Sequence, residues 1–141
     1  MLKFQLVSSG GTKFNGEAYE VLVPTKAGTI ALFLDHMPLV STASAGVISI
    51  RKKANDRDTE MEHFAVSGGV IQVDGKGAHF LSDDVTASHE VSESAAAAAL
   101  ARAEELMKDA KTHIALSQAR HLIRHRSAQL HVARLKRRHH Q

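Results

Sequence analysis

Residues 95–107 have the sequence Ala-Ala-Ala-Ala-Ala-Leu-Ala-Arg-Ala-Glu-Glu-Leu-Met, and they separate two parts of the chain that differ in periodicity. Residues 1–90 alternate apolar and polar positions and are interrupted by Gly, Asn and Asp, a pattern typical of β-strands. From Ala95 onward the chain has neither Gly nor Pro, and apolar residues recur every three or four positions. The sequence therefore predicts a mixed fold: an N-terminal β-sandwich or flattened barrel followed by a C-terminal two-helix hairpin.

Turn signals give the expected boundaries of these parts. We expect a β-sandwich at 1–86, a helical hairpin at 91–138, and a polar hinge at 83–91. The apolar run 30–34 predicts a strand buried on both faces. Asp74-Gly75-Lys76-Gly77 predicts a hairpin with a type I′ turn. Ser92 or Ser94 is expected to cap the first helix at Glu93, and 109–113 is expected to be the turn between the helices.

Composition excludes several classes of site. The chain has 141 residues, of which 43% are hydrophobic, so one ordinary core is feasible. It has no cysteine, which excludes disulfides, a thiolate nucleophile and cysteine-ligated zinc. No apolar run approaches the ~20 residues that span a bilayer, and Met1–Val7 resembles a strand more than a signal peptide. We therefore expect a cytoplasmic protein, with a peripheral place on a membrane complex left open.

Charge is distributed unevenly along the chain. Residues 1–90 carry 8 basic and 11 acidic side chains, whereas residues 91–141 carry 10 basic and 4 acidic ones. From Arg120 to the end there are seven basic residues and no acidic residue. This asymmetry predicts an acidic or anionic partner for the second helix.

Catalytic patterns are weak throughout the chain. Gly68-Gly69 and Gly75-Lys76-Gly77 do not have the spacing of a phosphate-binding loop, and no Ser or Thr follows the lysine. Ser8, Ser9, Asp35 and His36 have no spacing that would fix a nucleophile against a base. The sequence therefore predicts no catalytic residue and no cofactor.

Two histidines have a spacing that is compatible with a metal ion. His121 and His125 stand four residues apart, on one side of the predicted second helix. No carboxylate accompanies them within that helix, so we expect no metal site.

Three stretches of the sequence carry a family resemblance. Phe14-Asn15-Gly16-Glu17, followed by Val21-Leu22-Val23-Pro24, is similar to an opening "F-x-G-E … V-x-V-P" motif. Residues 28–39, with Gly46 beyond, are similar to a loop of the form G-x-hydrophobic-G-hydrophobic-L-P-x-H-x-P-L. Residues 64–73 are similar to an "S-G-G-hydrophobic-x-x-V" hairpin. In this order and spacing, the chain resembles the epsilon subunit of bacterial-type rotary ATP synthases.

The chain departs from that family at two places. In the loop, Ala31, Phe33 and Leu34 replace the usual Gly, Leu and Pro. At the first helix, some members bind ATP through an (I/L)-D-x-x-R-A motif, but this chain has Ser92 in place of Asp and Ala95 in place of Arg. Without the cation that would meet a phosphate, we expect no ATP binding.

The resemblance implies a non-catalytic rotor subunit in the central stalk of a proton-translocating ATP synthase, peripheral to the cytoplasmic face of the inner (plasma) membrane. The sandwich would bind the gamma subunit and the c-ring. The hairpin, a regulatory arm, would inhibit ATP hydrolysis by extending toward the α/β catalytic head. The resemblance assigns the ring-facing loop to Lys26, Ala27, Gly28, Thr29 and His36. It assigns contact with an acidic segment of beta to Arg120, Arg124, Arg126 and Arg134.

Two other functions are open to the sequence. The basic second helix suits a nucleic-acid-binding module, which would bind with a steep salt dependence. Against this, we expect no exposed aromatic side chains on the sandwich for bases to stack on. A small enzyme with its site in the sandwich is the second alternative, and the missing catalytic constellation argues against it.

Overall fold

The computed structural model describes residues 1–139, apart from the side chains at 137 and 139. Eight strands come first and two helices follow. The strands are β1 Leu2–Ser8, β2 Gly11–Ala18, β3 Glu20–Thr25, β4 Gly28–Leu32, β5 Leu39–Arg51, β6 Glu62–Asp74, β7 Gly77–Ser82 and β8 Val85–Ala87. The helices are α1 Glu93–Asp109 and α2 His113–His139, and a short 3₁₀ helix, Asp58–Glu60, lies between β5 and β6. The predicted order of a β-domain and a helical hairpin is confirmed.

One hydrogen-bonded sheet folds over to form the sandwich. Its strand order is β2-β1-β7-β6-β5-β3-β4, and β8 pairs with β6 beside this path. The β1–β7 pair is parallel and the other pairs are antiparallel. The long strands β5 and β6 belong to both layers: β7 pairs with the second half of β6, whereas β3 pairs with the end of β5 and β8 with the first half of β6.

The core lies between the two layers, where every second residue of the strands points inward. In β1 the buried positions alternate from Leu2 to Ser8, as the sequence pattern predicts. The largest fully buried side chains of the sandwich are Phe4, Phe80, Leu6, Leu32, Ile48, Ile50, Ile71, Val21, Val23 and Val66.

The expectation for residues 30–34 is wrong. Strand β4 ends at Leu32, and Leu32 is fully buried, but Phe33 and Leu34 are 41% and 56% exposed. Each strand of a two-layer sandwich meets the core with one face only, and Phe33 and Leu34 lie beyond the end of β4. A short apolar run does not distinguish such a strand from a fully buried one.

The hairpin at 74–77 is in the predicted place, but its turn type differs from the prediction. Asp74 pairs with Gly77, which leaves a two-residue loop, yet neither Gly75 nor Lys76 has the positive φ of a type I′ turn. Instead, Asp74 Oδ1 accepts hydrogen bonds from the backbone N–H of Lys76 at 2.7 Å and of Gly77 at 3.2 Å. The aspartate side chain therefore organises the turn.

A strand occupies part of the predicted hinge. Residues 85–87 form β8, in which Val85 and Ala87 are buried and pair with β6. The sandwich therefore extends one residue past the predicted boundary at 86, and the linker to α1 is limited to residues 88–92. The strand is short, and its polar neighbours conceal the alternation of its two apolar residues.

Both helices begin at side-chain caps. Ser92 Oγ accepts a hydrogen bond from Ala95 N at 3.2 Å, which confirms the predicted cap at Glu93. Thr112 Oγ1 accepts one from Ala115 N at 3.0 Å at the start of α2. The helices pack closely through small side chains, since Ala96 and Ala103 of α1 are buried.

The hairpin is folded against the sandwich, and α2 is its inner helix. Helix α2 lies between α1 and the outer surface of β5 and β6. Its apolar contact with that surface consists of Ala128 and Val132 against Ala65 and Val47. Within residues 1–139, no helix combines the length and the apolar character needed to cross a bilayer.

The close approach of β6 and β7 at Gly69 predicts that a side chain at this position destabilises the protein. A Cβ at Gly69 would lie 2.1 Å from the Leu81 carbonyl oxygen, and the residue has a φ of +147°. We expect Gly69→Ala to lower the free energy of unfolding, measured by urea denaturation, by at least about 2 kcal/mol. Gly75→Ala is the matched control: a Cβ there has no atom within 4 Å, so the change should be within about 0.5 kcal/mol. Equal effects of the two substitutions would contradict the close approach.

Candidate docking sites on the sandwich and the arm

Three of the four predicted arm arginines lie on one exposed face of α2. At 100° per residue, Arg120, Arg124 and Arg134 fall within a sector of about 80°. All three are exposed while α2 rests on the sandwich. We call them the basic stripe. The stripe is accessible without any movement of the arm.

Arg126 has a different environment. It is half-buried, and its Nη1 donates a hydrogen bond to Gln129 Oε1 at 2.9 Å. Gln129 is itself buried, so Arg126 belongs to the docked side of α2. Arg134, within the stripe, lies 3.4 Å from Glu93 Oε1 through its Nε and so links α2 to the start of α1.

Polar side chains cross from the arm to the sandwich beside the apolar contact. The imidazole of His125 is 6% exposed, and its Nε2 donates to Asp84 Oδ2 at 2.9 Å. One turn later, Gln129 Nε2 donates to Thr86 Oγ1 at 3.0 Å. His121 is exposed, so the two histidines that the sequence suggested as a metal-compatible pair have separate environments. Sequence analysis missed this contact because its members are 41 and 43 residues apart.

Hydrogen bonds within the sandwich hold the backbone of Asp84 in place. The Asp84 carbonyl accepts hydrogen bonds from Ser67 N and from Ser82 Oγ, both at 3.1 Å. The Asp84 N–H donates to Ser67 Oγ at 3.2 Å. Ser67 begins the Ser67-Gly68-Gly69 motif, so this motif positions the residue on which the arm docks.

A carboxylate fixes the start of the linker. Glu90 Oε1 accepts from Lys13 Nζ at 2.8 Å, and its Oε2 accepts from Ala87 N at 2.7 Å. These two bonds, with Lys13 the larger influence, hold the pKa of Glu90 below its ordinary value of 4.5. The predicted hinge is therefore fastened to β2 on its sandwich side.

Arg51 organises the part of the sandwich around the short 3₁₀ helix. Its guanidinium bonds Asp58 at 2.6 Å and Glu20 at 2.9 Å, and it also bonds the carbonyl of Asp56. The hydrogen bonds to Asp58 and Glu20 raise the pKa of Arg51. They fix the short 3₁₀ helix that contacts α2.

The predicted ring-facing residues are divided between two turns. Lys26 and Ala27 form the exposed turn between β3 and β4, and Gly28 and Thr29 begin β4. His36 lies in another turn, beyond the end of β4, where its N–H donates to Phe33 O at 3.2 Å. His36 thus lies beyond one end of β4, and the other four residues lie at or before its opposite end. Their role stays a prediction.

The turn around His36 borders a cleft. The cleft has a volume of about 650 Å³ and lies between residues 34–36, the start of β1 and the β6–β7 turn. His36 Nδ1 donates to the Met37 carbonyl at 2.8 Å, so that nitrogen is engaged within the turn.

Sequence analysis also missed an exposed apolar patch on the layer opposite the arm. Val7, Leu81 and Val70 align across β1, β7 and β6, and Leu81 and Val70 are 57% and 41% exposed. Adjacent apolar residues within one strand, such as Phe80 and Leu81, place one side chain in the core and the other outside. Two adjacent apolar residues within a predicted strand were therefore the sequence signal for this exposed patch.

Two aromatic side chains of the sandwich are exposed, contrary to expectation. Tyr19 and Phe33 are 40% and 41% exposed. Their rings pack edge to face with centroids 5.7 Å apart, so they largely contact each other.

Comparison with known proteins places this geometry in a family. Residues 1–88 match the family described as ATP synthase, Delta/Epsilon chain, beta-sandwich domain. The chain is 34% identical to the ATP synthase epsilon chain of Sulfurimonas denitrificans over 110 residues, which are 78% of this chain and 82% of that one. It is 32% identical to the ATP synthase epsilon chain of Polaromonas naphthalenivorans over 129 residues, covering 92% and 91% of the two chains.

Solved structures show the same fold. A chain in the cryo-electron microscopy structure of the Euglena gracilis mitochondrial ATP synthase superposes with a TM-score of 0.76 at 14% identity, covering 94% of this chain and 80% of that one. A chain in the central stalk and c-ring structure of the Tetrahymena thermophila mitochondrial ATP synthase superposes with a TM-score of 0.61 at 14% identity, covering 91% and 95%.

The Glu90 tether predicts a pH-dependent contribution to stability. A carboxyl group whose pKa is lowered by folding stabilises the protein above its unfolded pKa, and this contribution disappears as the pH falls through the folded pKa. We therefore expect Glu90→Gln to lower the free energy of unfolding at pH 7 by less than about 1 kcal/mol, because the pair is largely exposed. The difference from wild type should decrease as the pH falls below 4.5 and disappear once the pH is below the lowered folded pKa. Glu17→Gln, which removes one exposed carboxylate of β2, is the control; equal effects of the two substitutions, or a difference at Glu90 that does not change with pH, would contradict the tether.

Proposed function

Since the chain belongs to the epsilon-subunit family of ATP synthases, we propose that it is a central-stalk subunit that joins gamma to the c-ring and restrains ATP hydrolysis with its helical arm. As an epsilon chain it is a non-catalytic subunit of the enzyme. One observation carries the regulatory part of the proposal. A complete sandwich holds a basic two-helix arm through a small contact, with the basic stripe turned outward.

The sandwich offers two separate surfaces to the stalk. The apolar patch of Val7, Val70 and Leu81 suits gamma, because a row of exposed and half-buried apolar side chains across three strands favours a protein contact. The β3–β4 turn with Lys26, and the turn that holds His36, are the proposed contacts with the c-ring. These contacts would hold the subunit at the cytoplasmic face of the inner (plasma) membrane, peripheral to it.

The arm is weakly held, as a movable regulator requires. Its apolar contact consists of two alanines and two valines, which bury little area at about 25 cal/mol per Å². Extended toward the α/β head, α2 would present Arg120 and Arg124 to an acidic segment of beta. Ser92 and Ala95 serve as cap and capped residue of α1, and we propose that the arm responds to its protein partners rather than to bound ATP.

The nucleic-acid alternative has less support. The basic stripe suits a polyanion in general, but Tyr19 and Phe33 contact each other edge to face rather than offering free ring faces. Family membership accounts for both parts of the chain and thus favours a protein partner.

The basic stripe gives the first functional prediction. We expect Arg120→Ala/Arg124→Ala to raise ATP hydrolysis by a reconstituted complex while assembly stays normal. Each exposed pair contributes only about 0.2–1 kcal/mol, so either single substitution should do little. Arg126 is left unchanged because it bonds Gln129 on the docked face.

Steady-state hydrolysis rates and gel filtration of the complex measure these two outcomes. Arg102→Ala/Lys108→Ala, at exposed positions of α1, removes the same charge elsewhere on the arm and should leave the rate unchanged. If both double variants change the rate equally, general charge rather than the stripe is responsible.

Removal of the arm tests the whole proposal. A chain that ends after Glu90 keeps all eight strands and the Lys13–Glu90 bond, so it should fold, with a free energy of unfolding reduced by no more than about 3 kcal/mol. The complex that contains it should assemble and should hydrolyse ATP faster than the full-length complex.

Circular dichroism of the truncated chain and hydrolysis rates of the two complexes are the measurements. An unfolded truncated chain would show that the arm is part of the core. Equal hydrolysis rates with normal assembly would show that the arm does not restrain the enzyme.

A further inference from the structure

We propose that Asp84 and His125, together with Thr86 and Gln129, form a polar latch that sets how often the arm leaves the sandwich. The inference rests on the proposed function, in which the arm moves, and it identifies the residues that control that movement. Asp84 and Thr86 are the sandwich side of the latch; His125 and Gln129 are its arm side.

His125 is buried where the arm meets the sandwich. Its side chain is 6% exposed, and its Nδ1 has no hydrogen-bond partner among the described residues. The bond from Nε2 to Asp84 Oδ2 is therefore the hydrogen bond that ties this buried ring to the sandwich, and Nε2 also lies 3.4 Å from Gln129 Nε2 within α2. A buried polar group that loses its partner bears the full cost of desolvation, so docked positions without this bond are disfavoured.

The sandwich holds the residue that accepts this hydrogen bond. Asp84 is fixed by three hydrogen bonds with Ser67 and Ser82, all of them within the sandwich. These bonds do not involve the arm, so the backbone that carries the acceptor is held by the sandwich alone. A preformed acceptor loses little conformational entropy when the arm binds.

The two sides of the latch have matching spacings. Asp84 and Thr86 are two residues apart, which is about 6.6 Å along an extended chain. His125 and Gln129 are four residues apart, which is about 6 Å along a helix. The two donors of α2 thus match the two acceptors of the sandwich, and a shift of α2 by one turn would leave buried polar groups without partners.

The apolar part of the interface does not supply this specificity. Ala128 and Val132 are small, and they meet the equally small Ala65 and Val47. Small side chains permit close approach but interdigitate little, so the latch decides the register of α2. Arg126 supports the latch because it donates a hydrogen bond to the side-chain oxygen Oε1 of Gln129. This bond directs the side-chain nitrogen Nε2 of Gln129 toward Thr86.

A thiol-labelling experiment on the full-length chain tests the latch. The chain has no cysteine, so a single Ala128→Cys substitution places a probe in the buried contact. Its labelling rate with excess reagent measures the fraction of open arm. Ser127→Cys, at the exposed neighbouring position, gives the intrinsic rate of the same reaction.

We expect Asp84→Ala to raise the open fraction about three- to tenfold, because a hydrogen bond to a charged group is lost but its carboxylate is partly exposed. Asp83→Ala removes the same charge at the exposed neighbouring position and should change the fraction less than twofold. Asp84→Asn should have a smaller effect than alanine, since its amide oxygen still accepts from His125. The effects of Asp84→Ala and His125→Ala should not add in the double variant, because both break one bond.

Equal labelling of the Asp83 and Asp84 variants, or additive effects in the double variant, would overturn the latch. Circular dichroism checks that each variant is folded. If Asp84→Ala does not fold, Asp84→Asn and Thr86→Val give the same test: both must raise the open fraction, and failure of either to do so overturns the latch. Labelling uses the isolated chain and hydrolysis uses the complex, so the latch and the proposed function can fail separately.

Discussion

The antiparallel ladder between β5 and β6 is the constraint on which the rest of the structure depends. These two strands of thirteen residues each run through both layers, and the remaining strands pair outward from them or complete the layers beside them. The inner face of the ladder carries core residues such as Ile48 and Ile71, and its outer face receives α2. A change that disturbs this ladder therefore affects the core and the arm together.

The ladder also joins the motif that indicated the family to the site at which the arm docks. Ser67 lies on β6, where that strand passes between the layers, and it holds Asp84 through the backbone and the hydroxyl group. Gly69 follows two residues later, where only hydrogen fits against the Leu81 carbonyl. In this motif Gly69 permits the close approach of two strands, and Ser67 positions the residue on which the arm docks.

The sequence predicted the fold from local patterns and missed contacts that are not local. Alternation predicted the inward residues of β1, and alanine content with Ser92 predicted α1, because each is determined within a few positions. Burial at 30–34 was mispredicted, since the apolar run does not reveal that the strand ends at Leu32 and meets the core with one face only. The turn at Asp74 differs in type because a side chain replaces the backbone conformation that the Asp-Gly pair suggested. His125 has no local signal of its bond to Asp84, 41 residues away.

The position of α2 between α1 and the sheet determines how far the arm can reach. Folded together, the two helices extend no farther than α2 alone, about 40 Å for its 27 residues at 1.5 Å each. Opened at residues 110–112 into one line, they would add the 17 residues of α1 and span about 65 Å. Glu90, just before α1, bonds Lys13 of β2, so the start of α1 would stay beside the sandwich. Nearly all of the added length would then lie toward the far end of α2. The folded hairpin is therefore compact, and opening it would lengthen the molecule in one direction only.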